Sequence, residues 1–275
     1  MVPQGWKGEF DGWSPADAWA SAIARARQAE ALGFESIWVF DHFTTVPNPT
    51  EEITFESLTM LAALAQATSR ARIGHMVVCT GFRNPALTAK MASTIDVISG
   101  GRFELGIGAG WKEDEWLAYG YGFPTLRDRL GALGDHLEVI RRMLGPGKAT
   151  FEGAYARVEG AINVPKGIQG HIPIVVGGNG QNVTFRYAAR FADELNLVFL
   201  PAGTDPQLEA AAGDHVDRRG HLRCEGGVAE PGAYHHVADS HPRRRLRQRR
   251  EHRERLEGDL LGLVGHRREI VEDPD

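Results

Sequence analysis

Residues 34–43 form an apolar run, FESIWVFDHF, that ends in two adjacent ionisable side chains, Asp41 and His42. An apolar run of roughly four to eight β-forming residues, bounded here by Gly33 and by charge, is typical of a strand buried on both faces of a parallel sheet. At the carboxyl edge of such a sheet, loops converge on a shared pocket. Asp41 and His42 are therefore either functional groups at that edge or a loop pair satisfied by its neighbours.

Helix and strand patterns alternate along the first 200 residues. The first helix begins at Ser14, an N-cap followed by Pro15, and ends at Gly33. Further helices are predicted at 54–68, 85–98, 126–144 and 182–191, further strands at 72–80, 102–109, 172–176 and 194–200, and a hairpin at 150–160. This order implies parallel strands with right-handed crossovers, which leaves an open doubly wound sheet and a (β/α) barrel as the two possible folds.

Length and composition exclude several classes of protein. The 275 residues are close to the roughly 250 typical of one (β/α) barrel. No long apolar run is present and the start, MVPQGWKGEF, lacks the features of a secretory signal, so we expect a cytoplasmic chain with no membrane partner. Cys79 and Cys224 have neither disulfide-framework nor CxxC spacing, which predicts no metal site. The net charge of -5 argues against nucleic acid as a partner.

The composition changes sharply near Pro206, and we divide the chain into a barrel region, 1–205, and a tail, 206–275. Every Phe, Trp, Met and Lys lies before Pro206, whereas 7 of the 11 histidines lie after it. A segment that cannot bury apolar area has nothing to offset its ordering entropy, so the tail is predicted to be unfolded. We interpret it as an out-of-frame translation of a high-GC gene. The competing interpretation is a basic RNA-binding tail, although no aromatic side chains interleave its arginines.

Four segments, in this order and spacing, resemble the luciferase-like monooxygenase superfamily: QGWKGEFDGW, WVFDHF, ATSRARIGHMVVCTGFRNPALTAKMASTIDVISGGRFELGIGAGW and IPIVVGGNG. The most similar branch contains the deazaflavin-dependent oxidoreductases that use coenzyme F420. The resemblance extends from about Gln4 to Asn196 and implies a TIM barrel. The family's first strand looks clipped here, and the tail stands in place of its last two βα units. Five strands can be placed where the fold requires eight, so we expect an incomplete barrel.

Gly177, Gly178, Asn179 and Gly180 follow a predicted strand and precede a predicted helix. Such a turn lets backbone amides and a helix N-terminus approach a phosphate, although it is also what a tight strand-to-helix turn requires. The resemblance places the cofactor phosphate here, which favours cofactor binding.

The predicted strand at 72–80 ends in small residues, Cys79 and Thr80, that would leave room for a flat tricyclic ring. The resemblance implies that this strand contacts the ring, in some members through a non-proline cis peptide, which we expect between Gly74 and Val77. Cys79 is better interpreted as a small buried hydrophobe than as a reactive thiol. Gly108 ends the next strand and is predicted to let that strand pass close to the ring.

His42 is the natural acid or base, because the unperturbed pKa of an imidazole, about 6.5, lies near neutral pH. Asp41 would orient His42 or bind a polar ring position of the cofactor. The resemblance implies that His42 lies near the hydride-carrying carbon and exchanges a proton with the substrate. Trp6, Trp13 and Trp111 would then wall the substrate side, although a tryptophan is more often part of a core.

The sequence thus predicts an oxidoreductase that transfers hydride between coenzyme F420 and an unknown small organic substrate. Two alternatives stay open: an FMN-dependent luciferase-like monooxygenase, and an inactive, truncated barrel fragment. The partners we consider are a small-molecule substrate and a second copy of the chain in a homodimer.

Overall fold

The computed structural model describes residues 1–180 and 182–197. The predictions made for the tail, 206–275, fall outside these residues. The helices are α1 (Pro15–Ala31), α2 (Ser57–Ala67), α3 (Pro85–Ile98), α4 (Glu113–Ala118), α5 (Leu126–Leu144) and α6 (Thr184–Phe191). The strands are β1 (Ser36–Val39), β2 (Arg72–His75), β3 (Val78–Cys79), β4 (Phe103–Gly108), β5 (Ala149–Glu152), β6 (Arg157–Ala161), β7 (Ile174–Gly177) and β8 (Glu194–Asn196), and a 3-10 turn covers Thr80–Phe82.

The main sheet is parallel throughout and curves as a half-barrel. Its strand order is β1-β2-β4-β7-β8, and β3 pairs with β4. Strands β5 and β6 form a separate antiparallel hairpin. Each of the five strand positions predicted from the sequence contains a strand, and the predicted hairpin is present. The α/β fold is confirmed, and the described sheet is consistent with an incomplete TIM barrel.

Alternation along the strands separates the core from the barrel interior. In β4, Phe103, Leu105 and Ile107 are fully buried in the core together with apolar side chains of the helices. The residues between them, Glu104 and Gly106, lie on the opposite face of the strand. The sheet therefore packs its helices on one face and leaves the other face to line the barrel interior.

Local side-chain caps explain where several helices begin. Ser14 accepts a hydrogen bond from the Asp17 amide at 3.1 Å, as the Ser-Pro signal predicts. Helix α2 begins at Ser57 and not at residue 54, because the Glu56 carboxylate caps it through the amides of Leu58 and Thr59, at 3.2 and 2.7 Å. The apolar pattern alone placed this start three residues too early.

The single strand predicted at 72–80 is interrupted by a β-bulge. Ile73 of β2 pairs with Phe103, whereas Val78 of β3 pairs with Ile107, so five steps along one chain match four along the other. One extra residue in one of two paired strands is the definition of a bulge. The peptide bond Met76–Val77 at this point is cis, which confirms the non-proline cis peptide expected between Gly74 and Val77.

Two buried histidines make the fold sensitive to acid. His75 in β2 is fully buried, and neither ring nitrogen has a hydrogen-bond partner among the described residues. Burial lowers the pKa of His75 to about 4, and it lowers the pKa of His136 in α5 to about 4 as well. Each ring takes up a proton on unfolding below pH ~6.5, so stability falls as the pH drops from ~6.5 to ~4, by up to about 1.4 kcal/mol per pH unit for each ring.

Replacing His75 with leucine should remove part of this pH dependence. Between pH 7 and pH 5 the wild-type chain is expected to lose about 2 kcal/mol more free energy of unfolding than His75→Leu, because leucine binds no proton. Urea unfolding at the two pH values measures the difference. Equal losses in both proteins would show that His75 is protonated in the folded state or accessible to water.

Candidate active site

The loop after β1 carries His42, and a glutamate from a different βα unit holds its ring. His42 Nδ1 lies 2.9 Å from Oε2 of Glu115 in α4, and their side chains are 12% and 1% exposed. The other carboxylate oxygen, Oε1, accepts hydrogen bonds from the amides of Phe43 and Thr44 at 3.0 and 3.2 Å. One buried carboxylate therefore fixes both the imidazole and the backbone that follows it.

The same loop has two further anchors. The buried ammonium group of Lys112 donates a hydrogen bond to the carbonyl oxygen of Pro47 at 3.1 Å and also pairs with Asp114. The Val46 amide donates to the Trp6 carbonyl oxygen at 2.7 Å. Contacts to the segment after β4 and to the N-terminal segment thus hold the His42 loop at several points.

Two of the three predicted tryptophans flank His42. The Trp6 ring stacks on the imidazole with a centroid distance of 5.9 Å and an angle of 16°, and Trp111 meets it edge-on at 5.9 Å and 80°. Trp13 is 47% exposed and packs against Phe10. The structure therefore brings Trp6 and Trp111 together at His42, whereas Trp13 belongs to a different aromatic contact.

Asp41 forms a buried ion pair. Its oxygens accept two hydrogen bonds from Arg83, at 2.7 and 2.9 Å, one from the Ser57 hydroxyl at 2.7 Å and one from the Cys79 amide at 2.9 Å. Asp41 is 6% exposed. The expectation that Asp41 orients His42 is wrong, because Glu115 occupies that position and the bonds of Asp41 run to β3 and α2. Nothing in the sequence distinguished Arg83 and Glu115 from solvated charges.

Arg83 extends this network to Glu56. Its guanidinium donates to Glu56 Oε1 at 2.6 Å. Burial alone would raise the pKa of Glu56, but hydrogen bonds from Thr59 and the ion pair with Arg83 lower it to about 2. The cap of α2 and the end of β1 are therefore joined through one arginine.

The end of β3 is closely packed. Cys79 is buried, and burial raises the pKa of its thiol to about 12, so it is a small packing residue and not a thiolate nucleophile. The buried hydroxyl of Thr80 has no hydrogen-bond partner among the described residues. A cavity of about 440 Å³ lies beside Thr80, with Trp116 and Arg129 among its lining residues. His42 is not among the residues that line this cavity.

Three glycines lie around the side chain of Val77. A Cβ atom on Gly108 would lie 2.8 Å from a Val77 methyl, one on Gly177 would lie 2.7 Å from it, and one on Gly106 would lie 3.1 Å from the other methyl. The first two contacts are closer than van der Waals packing allows, so Gly108 and Gly177 make room for Val77, whereas a Cβ atom on Gly106 would first meet the His75 carbonyl oxygen, at 1.9 Å. Gly108 is thus required by packing against Val77, and contact between Gly108 and a cofactor stays a prediction.

Val77 is half-buried and follows the cis peptide at the carboxyl end of β2. The Met76 amide donates to the Val39 carbonyl oxygen at 2.9 Å, which ties this segment to β1 just before Asp41 and His42. A valine face bordered by side-chain-free glycine backbone is flat and apolar, so these residues fit a planar ring. We call Val77 with Gly106, Gly108 and Gly177 the Val77 platform.

The predicted phosphate turn is only partly available for a ligand. Gly178 has a φ of 138°, a region that favours glycine, and its amide donates to the Asn196 carbonyl oxygen of β8 at 3.0 Å. Helix α6 begins at Thr184, two residues later than predicted, and Val183 gives it no side-chain cap. The Gly178 amide is therefore used by the sheet, and the phosphate contacts predicted for 177–180 stay predictions.

No group of three or more His, Cys, Asp or Glu side chains that could hold a metal ion lies within residues 1–180 and 182–197. In the same part of the chain, every helix is too short or too polar to cross a bilayer.

The structure is an α/β protein with a parallel half-barrel. Its imidazole and its apolar platform lie at the carboxyl edge of the strands, where folds of this class bind ligands. The family model for luciferase-like monooxygenases matches residues 6–256. The chain belongs to this family, as the sequence motifs indicated.

Individual relatives include F420-dependent enzymes. An F420-dependent glucose-6-phosphate dehydrogenase of Intrasporangium calvum is 31% identical over 196 residues, covering 70% of this chain and 57% of that protein. A pyrimidine monooxygenase, RutA, of Agrobacterium fabrum is 31% identical over 170 residues, covering 60% of this chain and 46% of that protein. This chain therefore spans about half the length of these two relatives.

A solved structure of an F420-dependent secondary alcohol dehydrogenase, in complex with an F420-acetone adduct, matches this chain with a TM-score of 0.59 and 25% identity. The match covers 65% of this chain and 54% of that one. Its fold agrees with the half-barrel described above.

Proposed function

We propose that this protein is an oxidoreductase that transfers hydride between coenzyme F420 and a small organic substrate. The observation that carries the proposal is the His42 imidazole, held by Glu115 between two tryptophans, in the loop that follows β1, the strand paired with β2 next to the Val77 platform. The F420-dependent relatives support the choice of cofactor. Because the chain spans only part of their length, activity and substrate are proposals for this protein.

Each group of residues at the site would have a separate role in the reaction. Coenzyme F420, when bound, supplies the carbon that accepts or donates the hydride. The Val77 platform would support one face of its ring. His42 would take a proton from a substrate hydroxyl through Nε2, or return it to a carbonyl oxygen in the reverse direction, since Nδ1 is engaged by Glu115. Trp6 and Trp111 would limit the access of water to the imidazole.

An FMN-dependent monooxygenase is the second candidate, and the similarity to the pyrimidine monooxygenase favours it. The two functions differ in their reaction with oxygen. A reduced flavin consumes oxygen when the site supports monooxygenation, whereas a reduced deazaflavin reacts poorly with it. Oxygen uptake with reduced FMN therefore separates the two proposals.

The direct test of the cofactor is a fluorescence titration of the full chain with F420 and with FMN. We expect F420 to bind at least about tenfold more tightly than FMN. A panel of small alcohols, aldehydes and ketones, followed by the absorbance of F420, then tests hydride transfer. Tighter binding of FMN together with oxygen uptake would replace the proposal by the monooxygenase, and absence of binding to both would favour the inactive fragment.

Gly177→Ala tests the Val77 platform. The new methyl group would lie where the Val77 side chain now packs, so the valine must move towards the barrel interior. We expect F420 affinity to fall by at least about tenfold. Val77→Ala removes the two methyl groups of the platform without introducing a clash and should also weaken F420 binding. Unchanged affinity in both variants would place the ring elsewhere.

A further inference from the structure

Glu115 makes a contact with the His42 ring in addition to the contacts that hold the loop after β1. It lies 73 residues from His42 in sequence, is almost fully buried, and divides its two oxygens between different tasks. Oε1 accepts from the backbone amides of Phe43 and Thr44, whereas Oε2 contacts only the imidazole in the described structure. The loop is already held by Lys112 and by the Val46 amide. The contact with the ring therefore requires its own explanation.

We propose that Glu115 is a positioning residue that fixes His42 in the tautomer with hydrogen on Nδ1, so that Nε2 is the free proton acceptor. This inference rests on the proposed role of His42. A carboxylate oxygen accepts hydrogen bonds, so the Nδ1 nitrogen at 2.9 Å must donate. The stacked Trp6 ring and the edge of Trp111 restrict rotation of the imidazole about its Cβ–Cγ bond. Orientation and tautomer are then both set before a substrate binds.

The variant Glu115→Gln separates the two tasks. The glutamine oxygen must continue to accept from the amides of Phe43 and Thr44, because those groups only donate. Its NH₂ group then faces Nδ1 and can only donate to it. The ring must respond by carrying its hydrogen on Nε2, which abolishes the free acceptor. In serine proteases the corresponding carboxylate-to-amide change lowers turnover by about 10⁴-fold through the wrong tautomer.

Nitrogen-15 NMR of the full-length, histidine-labelled chain at pH 8 measures the tautomer without any substrate or cofactor. His42 signals are assigned by their loss in His42→Ala. We expect protonated Nδ1 and unprotonated Nε2 in the wild type, and the reverse in Glu115→Gln. Glu113→Gln is the matched control, because it removes an equal charge from an exposed position of the same helix and should leave the wild-type tautomer unchanged.

Turnover is measured on any substrate found in the panel. Glu115→Gln should lower it by at least about 10²-fold with F420 affinity within threefold, and Glu113→Gln should not. An identical His42 tautomer in wild type and Glu115→Gln overturns the inference, whatever the activity. So does a switched tautomer with undiminished turnover when His42→Ala is impaired. If His42→Ala is fully active, the proposed role of His42 fails, and with it the catalytic purpose assigned to Glu115.

Discussion

Replacing His42 with alanine is expected to lower turnover by about 10² to 10⁴-fold while F420 affinity stays within a few-fold. The imidazole is the titratable group held between Trp6 and Trp111, and a general acid or base contributes an effect of this size. Steady-state kinetics and a fluorescence titration give the two numbers. Equal turnover in wild type and variant would show that His42 is structural.

His42→Asn supplies the matched control. Alanine leaves the buried Glu115 carboxylate without its partner at Oε2, which destabilises the loop by itself. The asparagine amide can donate from about the position of Nδ1 but has nothing at the position of Nε2. We therefore expect His42→Asn to melt near the wild-type temperature and to be as inactive as His42→Ala. An active His42→Asn would assign proton transfer to another group.

Asp41→Ala is expected to destabilise the protein by about 3–5 kcal/mol, because it leaves Arg83 buried with half of its ion pairing removed. The variant also removes the acceptor for the Ser57 hydroxyl and the Cys79 amide. Urea unfolding at pH 7 measures the loss. A change below about 1 kcal/mol would contradict the structural role.

Two further variants separate stability from cofactor binding at Asp41. Asp41→Leu/Arg83→Met replaces the pair by apolar side chains and should be less destabilised than the sum of the single changes, with a coupling of about 0.5–3 kcal/mol. Asp41→Asn preserves the shape of the side chain. If Asp41→Asn keeps its stability and loses F420 binding, Asp41 is a cofactor ligand, as the sequence suggested.

The fold was predictable where a local pattern determines it. Helix α3 begins and ends at the predicted residues, because Asn84 caps it just before Pro85 and the apolar period continues to Ile98. The apolar runs at 34–43 and 102–109 contain strands for the same reason, but only the second is buried on both faces, since in β1 Ser36 and Trp38 are half-buried. A predicted helix start was wrong where a side-chain cap determines the first residue, as the Glu56 carboxylate does for α2.

The site was predictable only in part, because its decisive contacts are long-range. His42 could be found from its place after a strand. Glu115 could not, since it stands with Glu113 and Asp114 in a short helix and all three carboxylates resemble solvated N-terminal charges. Which of them turns inward depends on the path of a loop some 70 residues away, and no period in the sequence encodes that path.

The bulge between β2 and β3 changes which alternate residues of this segment face the helices. Before it, Ile73 faces the helices; after it, Val78 does, although strict alternation would have turned Val78 the other way. We therefore expect substitutions at the core-facing positions of β2 and substitutions of Val77 to have independent effects on stability. Deleting one residue here would leave Ile73 and Val78 four steps apart, as Phe103 and Ile107 are, so both would still face the helices, but the bulge that carries Val77 would be lost. The length of this segment therefore sets the position of the Val77 platform, whereas the core contacts of Ile73 and Val78 are compatible with either length.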